Sequence, residues 1–172
     1  MRLLRFLPVF LLTITGCGYH TVGSAVHLPS NVHTLAIPTF QNSTQSYHAE
    51  LAFTQAVIRE FTNRTPYSIA NSEKPGAADA TIHGTVTRFD IIPLTYNSKT
   101  GQSSSFLITV DAHVSVTDRN NRVLYENKAY EFRQQYQTSM DLKSFIQEDP
   151  AAVQRLSRDF AQALVSDILE SF

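Results

Sequence analysis

The chain has 172 residues, 42% of them hydrophobic, and a formal charge of −1. Apolar content at that level, with aromatics spread along the chain, excludes an intrinsically disordered protein, and the charge excludes a strongly basic nucleic-acid binder. The length suits one domain with a real core and is short for two.

The opening MRLLRFLPVFLLTITGC sets Arg2 and Arg5 ahead of an apolar run from Phe6 to Ile14, which gives way to Thr15 and Gly16. That run is about half of the ~20 residues a spanning helix needs. A basic start, a short apolar middle and a small-residue exit describe a secretory signal peptide over residues 1–16. Its removal takes Arg2 and Arg5 from the 14 basic residues and leaves 12 against 15 acidic, a mature balance of −3. No later segment approaches the length of a transmembrane helix.

Cys17 is the single cysteine, at the expected cleavage point. One thiol makes neither an internal disulfide nor a cysteine-rich metal site. The plain reading is a leftover thiol near a terminus. The sharper one is a bacterial lipobox, because Ile14-Thr15-Gly16-Cys17 resembles the aliphatic, small, small, Cys pattern cut by the lipoprotein signal peptidase. Cys17 is then the site of lipid attachment. Palmitate-type acyl chains at ~0.8 kcal/mol per buried methylene would anchor the domain to a membrane without spanning it. Gly18, where a retention signal would place Asp, directs the lipoprotein to the outer membrane.

Residues 17–31 read as a lipidated tether, with Gly18, Gly23 and Pro29 and no sustained periodicity. Residues 32–172 read as a single domain. Val32 to Phe40 is a short apolar strand, with Pro38 marking an edge or an end. Asn42 to Ser46 is turn chemistry, with Ser46 as an N-cap. From Tyr47 to Asn63, Leu51, Thr54, Ile58 and Phe61 share a helical face, with Ala56 and Val57 beside it. Thr65-Pro66 ends that helix, and Tyr67 to Ala70 can form a brief strand. Ala80, Ile82, Gly84 and Val86 alternate with polar residues as a half-buried strand, and a phase slip before Phe89 and Ile91 predicts a bulge near Thr87-Arg88. Asn97 to Ser104 is a hairpin tip. Phe106, Ile108, Val110, Ala112, Val114 and Val116 then alternate with Leu107, Thr109, Asp111, His113, Ser115 and Thr117, the pattern of an antiparallel strand covered on one side. Asp118 to Asn121 is a tight turn, and Val123 to Tyr136 returns as a long strand. Asp149 caps the last helix, Pro150 opens it, and Val153, Leu156, Phe160, Leu164 and Ile168 repeat at helical spacing. The expected fold is α+β and two-layer: two helices packed on one face of a four-stranded mixed, mainly antiparallel sheet.

Catalytic chemistry is hard to assemble from these residues. The six histidines include no H-E-x-x-H pair. His83 and His113 could neighbour each other and Asp111 as metal ligands, although solvated strand positions account for them more simply. No G-x-S-x-G elbow or glycine-rich phosphate loop occurs. Glu126 and Glu131, five apart on one strand, fall on opposite faces apart from any bulge and make a poor acid–base pair. The expectation is a protein without enzymatic activity or cofactor. Arg88, Lys99, Arg119, Arg122, Lys128 and Arg133 gather near hairpins and strand ends, where cations can meet lipid phosphates or simply discourage edge pairing.

The Cys17-Gly18-Tyr19 start, Leu28-Pro29, the segment Thr34-Leu35-Ala36-Ile37-Pro38-Thr39-Phe40-Gln41-Asn42, the helix Leu51–Arg64 and Ala78-Asp79-Ala80-Thr81-Ile82-His83-Gly84 together resemble the lipopolysaccharide-assembly lipoprotein family, LptE. The resemblance implies an outer-membrane lipoprotein that sits in the lumen of the LptD β-barrel, acts there as plug and assembly factor, and helps deliver lipopolysaccharide to the outer leaflet. It implies lipopolysaccharide contacts at Arg88, Lys99, Lys128 and Arg133, and a barrel-facing loop with Asn97, Lys99 and Gln102. The partners so implied are an LptD-like barrel, lipopolysaccharide and the membrane, with no nucleic acid. Two other readings stand beside it: a periplasmic ligand- or protein-binding lipoprotein, and an enzyme whose site is assembled from dispersed residues.

Overall fold

A computed structural model describes residues 28–45, 49–70, 77–96, 98, 103–137 and 150–172. Cys17 and the leader, Ser46, Asn97, Lys99, Gln102 and Asp149 lie outside the described residues. In chain order the elements are β1 (Thr34–Ala36), β2 (Gln41–Asn42), α1 (Ala49–Arg64), β3 (Ser68–Ile69), β4 (Ala80–Tyr96), β5 (Ser103–Asp118), β6 (Val123–Gln137) and α2 (Pro150–Glu170). No described helix is long and apolar enough to cross a membrane.

The sheet has six strands, where four were expected. Its order is β3-β1-β4-β5-β6, with β2 also paired to β4. The β1, β2 and β3 pairings are parallel and the β4-β5-β6 meander is antiparallel. The extra strands have a local cause. Leu35 pairs with Ala80 and Gln41 with Thr85, so six steps on one side face five on the other. Pro38, which has no N–H to give to a ladder, lies in the resulting break, so the strand expected over Val32 to Phe40 is confined to Thr34–Ala36 and pairing resumes only at Gln41.

Phe40 fills that break. Its N–H donates to the Thr54 hydroxyl at 2.9 Å, which in turn donates to the Glu50 carbonyl at 2.6 Å, tying the connection to α1. The buried ring lies over Gly84, where a Cβ would sit 2.7 Å from three ring atoms. Only glycine allows the ring and the strand to approach so closely. Gly84→Ala should therefore destabilise the domain by about 1–3 kcal/mol through overpacking. Thermal melting checks this, and an unchanged midpoint would show that the ring moves freely.

Both helices pack on the face made by Ile82 and Val86 of β4, by Ile108 to Val116 of β5, and by Tyr130 and Phe132 of β6, in one core cluster. The alternating face expected of β5 is buried from Phe106 to Val116 without a break. The bulge expected near Thr87 is present: Val86 faces Ala112 and Arg88 faces Asp111. It returns Phe89 to the core side, 6.2 Å from Phe53. The buried stripe of α1 runs through Phe53, Ala56, Val57 and Phe61, whereas Leu51 is 40% exposed. The expected face was thus rotated, because Leu51 and Phe53 compete for it and the larger aromatic takes the core. On α2 the stripe is Leu156, Phe160, Ala161, Leu164, Val165 and Ile168. Two tyrosines of β6 tie α2 down at the rim: Tyr125 donates to Asp167, and Tyr136 donates to Asp159 at 2.9 Å. Leu28, assigned by sequence to the tether, is buried in the core.

Candidate functional site

With one sheet face covered by helices, the other carries the charges. The β4-β5 and β5-β6 registers place residues in rows across it. One row is Arg88, Asp111 and Glu131; the next is Asp90, Thr109 and Arg133. The bulge puts Arg88 on this face. A second irregularity, where two steps on β5 from Ala112 to Val114 face three on β6 from Tyr130 to Asn127, puts Glu126 and Glu131 on the same face. The expectation put them on opposite faces apart from any bulge; the bulge is present, and its extra residue reverses the alternation.

Three of the four basic residues implied as lipopolysaccharide contacts, Arg88, Lys128 and Arg133, belong to this meander, and Lys99 lies outside the described residues. Each of the three has a carboxylate partner. Arg88 donates to Asp90 at 2.7 Å and lies 3.5 Å from Asp111. Arg133 donates to Glu131 at 2.6 Å, and Lys128 lies 3.6 Å from Glu126. Asp90 first, and Asp111 after it, hold the Arg88 guanidinium above its usual pKa range. The sequence reading named the cations without pairing them to carboxylates: Asp111, Glu126 and Glu131 entered it as metal-ligand or acid–base candidates, and Asp90 not at all. The signal was available: Arg88-x-Asp90 and Glu131-x-Arg133 are two residues apart on strands, the spacing that shares a face.

His113 faces Glu126 at 3.2 Å, and His83, beside Ser115, is exposed. Among the described residues no group of three or more His, Cys, Asp or Glu could hold a metal ion. Asp111 is engaged by Arg88 on one oxygen, while its Oδ1 is buried without a hydrogen-bond partner. Arg119 and Arg122 serve the fold: Arg119 donates to Asp79, and Arg122 lies 3.1 Å from Asp118. Backbone N–H groups of Arg122 and then Asn120 hold Asp118 below the usual carboxylate range, and Asn121 takes the left-handed conformation that closes this turn (φ 59°). Beyond Arg88 the surface turns apolar, with Ile92, Leu94 and Tyr96 exposed on the last residues of β4.

The candidate site is thus an open sheet face of paired charges next to an exposed apolar strand end. A family model described as lipopolysaccharide-assembly, LptE, matches residues 32–168. The chain belongs to the LptE family. Membership fixes lipopolysaccharide assembly as the process this LptE-family chain serves. Solved structures share its fold. Lipoprotein B from Nitrosomonas europaea is 14% identical, with a TM-score of 0.51 over 86% of this chain and 87% of that one. Protein CT253 from Chlamydia trachomatis is 13% identical, with a TM-score of 0.51 over 82% and 99%. Protein XCC0632 from Xanthomonas campestris is also 13% identical, with a TM-score of 0.51 over 81% and 87%. No curated protein sequence matches the chain.

Proposed function

We propose that this LptE-family chain is an outer-membrane lipoprotein, anchored through acyl chains on Cys17, that plugs and helps assemble an LptD-type β-barrel and assists lipopolysaccharide delivery to the outer leaflet. The observation that carries the reading is the family match across residues 32–168. The polar face of the meander supports it, since the interior of a transmembrane barrel is polar and wet. So does the set of Arg88, Lys128 and Arg133, which suits phosphorylated headgroups. In this reading the domain works by binding and positioning, without catalysis, and the Asn97–Gln102 loop faces the barrel.

Photo-crosslinkers at Tyr96, which is 63% exposed, and at Lys99 test it in cells. They should capture one large outer-membrane barrel protein. Depletion of the lipoprotein should lower the amount of assembled barrel and sensitise cells to large hydrophobic antibiotics, and Cys17→Ala should abolish fatty-acid labelling. Crosslinks only to soluble periplasmic proteins, with the barrel at normal levels after depletion, would favour a general periplasmic binding lipoprotein instead.

A further inference from the structure

The two arginine–carboxylate pairs of the charged face run in opposite order along their strands. On β4 the order is Arg88 then Asp90; on β6, which runs the same way as β4, it is Glu131 then Arg133. Each row across the sheet therefore carries one guanidinium on one outer strand and one carboxylate on the other, with Asp111 or the buried Thr109 between them. The two guanidiniums lie diagonally, with Cα atoms roughly 12 Å apart from strand spacing and rise. All four side chains are between 43% and 58% exposed. The pairs are therefore open to an incoming anion, unlike buried ion pairs committed to the core.

We propose that Asp90 and Glu131 are built-in competitors for lipid phosphate: they occupy Arg88 and Arg133 while the face is empty and are displaced when phosphate groups bind. The proposal rests on the reading that this face receives lipopolysaccharide. A guanidinium donates equally well to carboxylate and phosphate oxygens, and Arg88 Nε–H is already engaged by Asp90 and Arg133 Nη2–H by Glu131, so a phosphate that approaches those N–H groups must displace the carboxylate. Each phosphate that docks makes one ion pair and breaks another. The number of opposite-charge contacts is then nearly unchanged on binding, which keeps affinity modest and its dependence on ionic strength shallow. A protein that passes its lipid onward gains from this arrangement, because the displaced carboxylate returns to help release the phosphate. The neighbouring Asp111 carboxylate adds repulsion toward an incoming anion at the same level.

The test is lipopolysaccharide binding by the full mature chain in non-ionic detergent, with the dephosphorylated lipid as control. Asp90→Asn and Glu131→Gln should each tighten binding about two- to fivefold at low salt, and the double variant about tenfold. Wild-type affinity should change less than about twofold between about 50 and 300 mM salt, whereas that of the double variant should fall several-fold, because its binding creates new charge pairs. Arg88→Gln in the Asp90→Asn background should remove the gain from Asp90→Asn, and none of the gains should appear with the dephosphorylated lipid. Unchanged or weaker binding by the carboxylate variants, with normal melting and with Arg88→Gln still weakening the wild type, overturns the competitor role alone. Absence of phosphate-dependent binding in the wild type and every variant overturns the underlying lipopolysaccharide reading as well.

Discussion

Phe160→Ala should lower the unfolding free energy by roughly 3–5 kcal/mol, the range for removing a large buried aromatic. Phe160 is fully buried and is the side chain on which the two layers meet. Its ring lies 4.6 Å from Phe53 of α1, and meets Tyr130 and Phe132 of β6 nearly edge-on at 5.7 and 5.8 Å. Truncation would remove contacts to both helices' shared core and to the sheet at once, and three large rings cannot all collapse into the space. For a domain of this size the midpoint of thermal unfolding should drop by roughly 6–20 °C. Gln154→Ala, at an exposed position of the same helix, should stay within about 0.5 kcal/mol. Similar melting of the two variants would mean that α2 does not dock as described.

Asp79→Ala should cost roughly 2–3 kcal/mol, because its carboxylate holds three segments together. It accepts the N–H groups of His33 and Thr34 and the Thr34 hydroxyl, each at 2.9 Å, and is paired with Arg119 beyond β5. The His33 N–H first, and the Thr34 hydroxyl next, hold the Asp79 carboxyl far below the usual carboxylate range. The folded state thus favours the ionised form, so this stabilisation is complete above the unfolded value near about 4 and is lost as pH falls from there toward the folded value. Asp79→Asn keeps one acceptor and loses the charge. Denaturant midpoints should show a gap between wild type and Asp79→Asn that is widest near neutral pH and narrows below about pH 4. A gap of equal size at about pH 7 and pH 3 would assign the role of Asp79 to hydrogen-bond shape alone.

The sequence is most informative where a single rule acts alone. The Phe106–Val116 alternation is uninterrupted, and the strand, its buried face and the flanking meander follow from it. The bulge at Thr87 is legible because the alternation resumes out of phase at Phe89. Other features were set by contacts that no local pattern encodes. Asn42 reads as the start of a turn, yet it and Gln41 pair with Val86 and Thr85 of a strand more than 40 positions away. Leu51 and Phe53 are both plausible core residues of α1, and only the aromatic cluster around Phe160 decides between them. At the charged face, the pairs Arg88-Asp90 and Glu131-Arg133 are legible from their two-residue spacing, whereas the rows that bring them together across the sheet require the strand phase on both sides of two irregularities. The bulge that unites Glu126 with Glu131 is carried by Asn127-Lys128-Ala129, where the Asn127 side-chain oxygen accepts the Ala129 N–H at 3.1 Å, and a single Asn inside a long strand is its one local sign.

The parallel pairing of β1 with β4 sets a condition on the order of folding. Leu35 finds its partner at Ala80, 45 positions later, and Arg64 of α1 reaches Ser166 of α2 across 102 positions. Contacts of such long range close slowly, because chain entropy must be surrendered before any packing rewards it. A chain delivered amino terminus first across a membrane would expose Leu35, Val57 and Phe61 until the stretch holding Leu156 to Ile168 had emerged. The fold therefore leaves its apolar surface open to other chains for an interval that lengthens with every residue between Arg64 and α2.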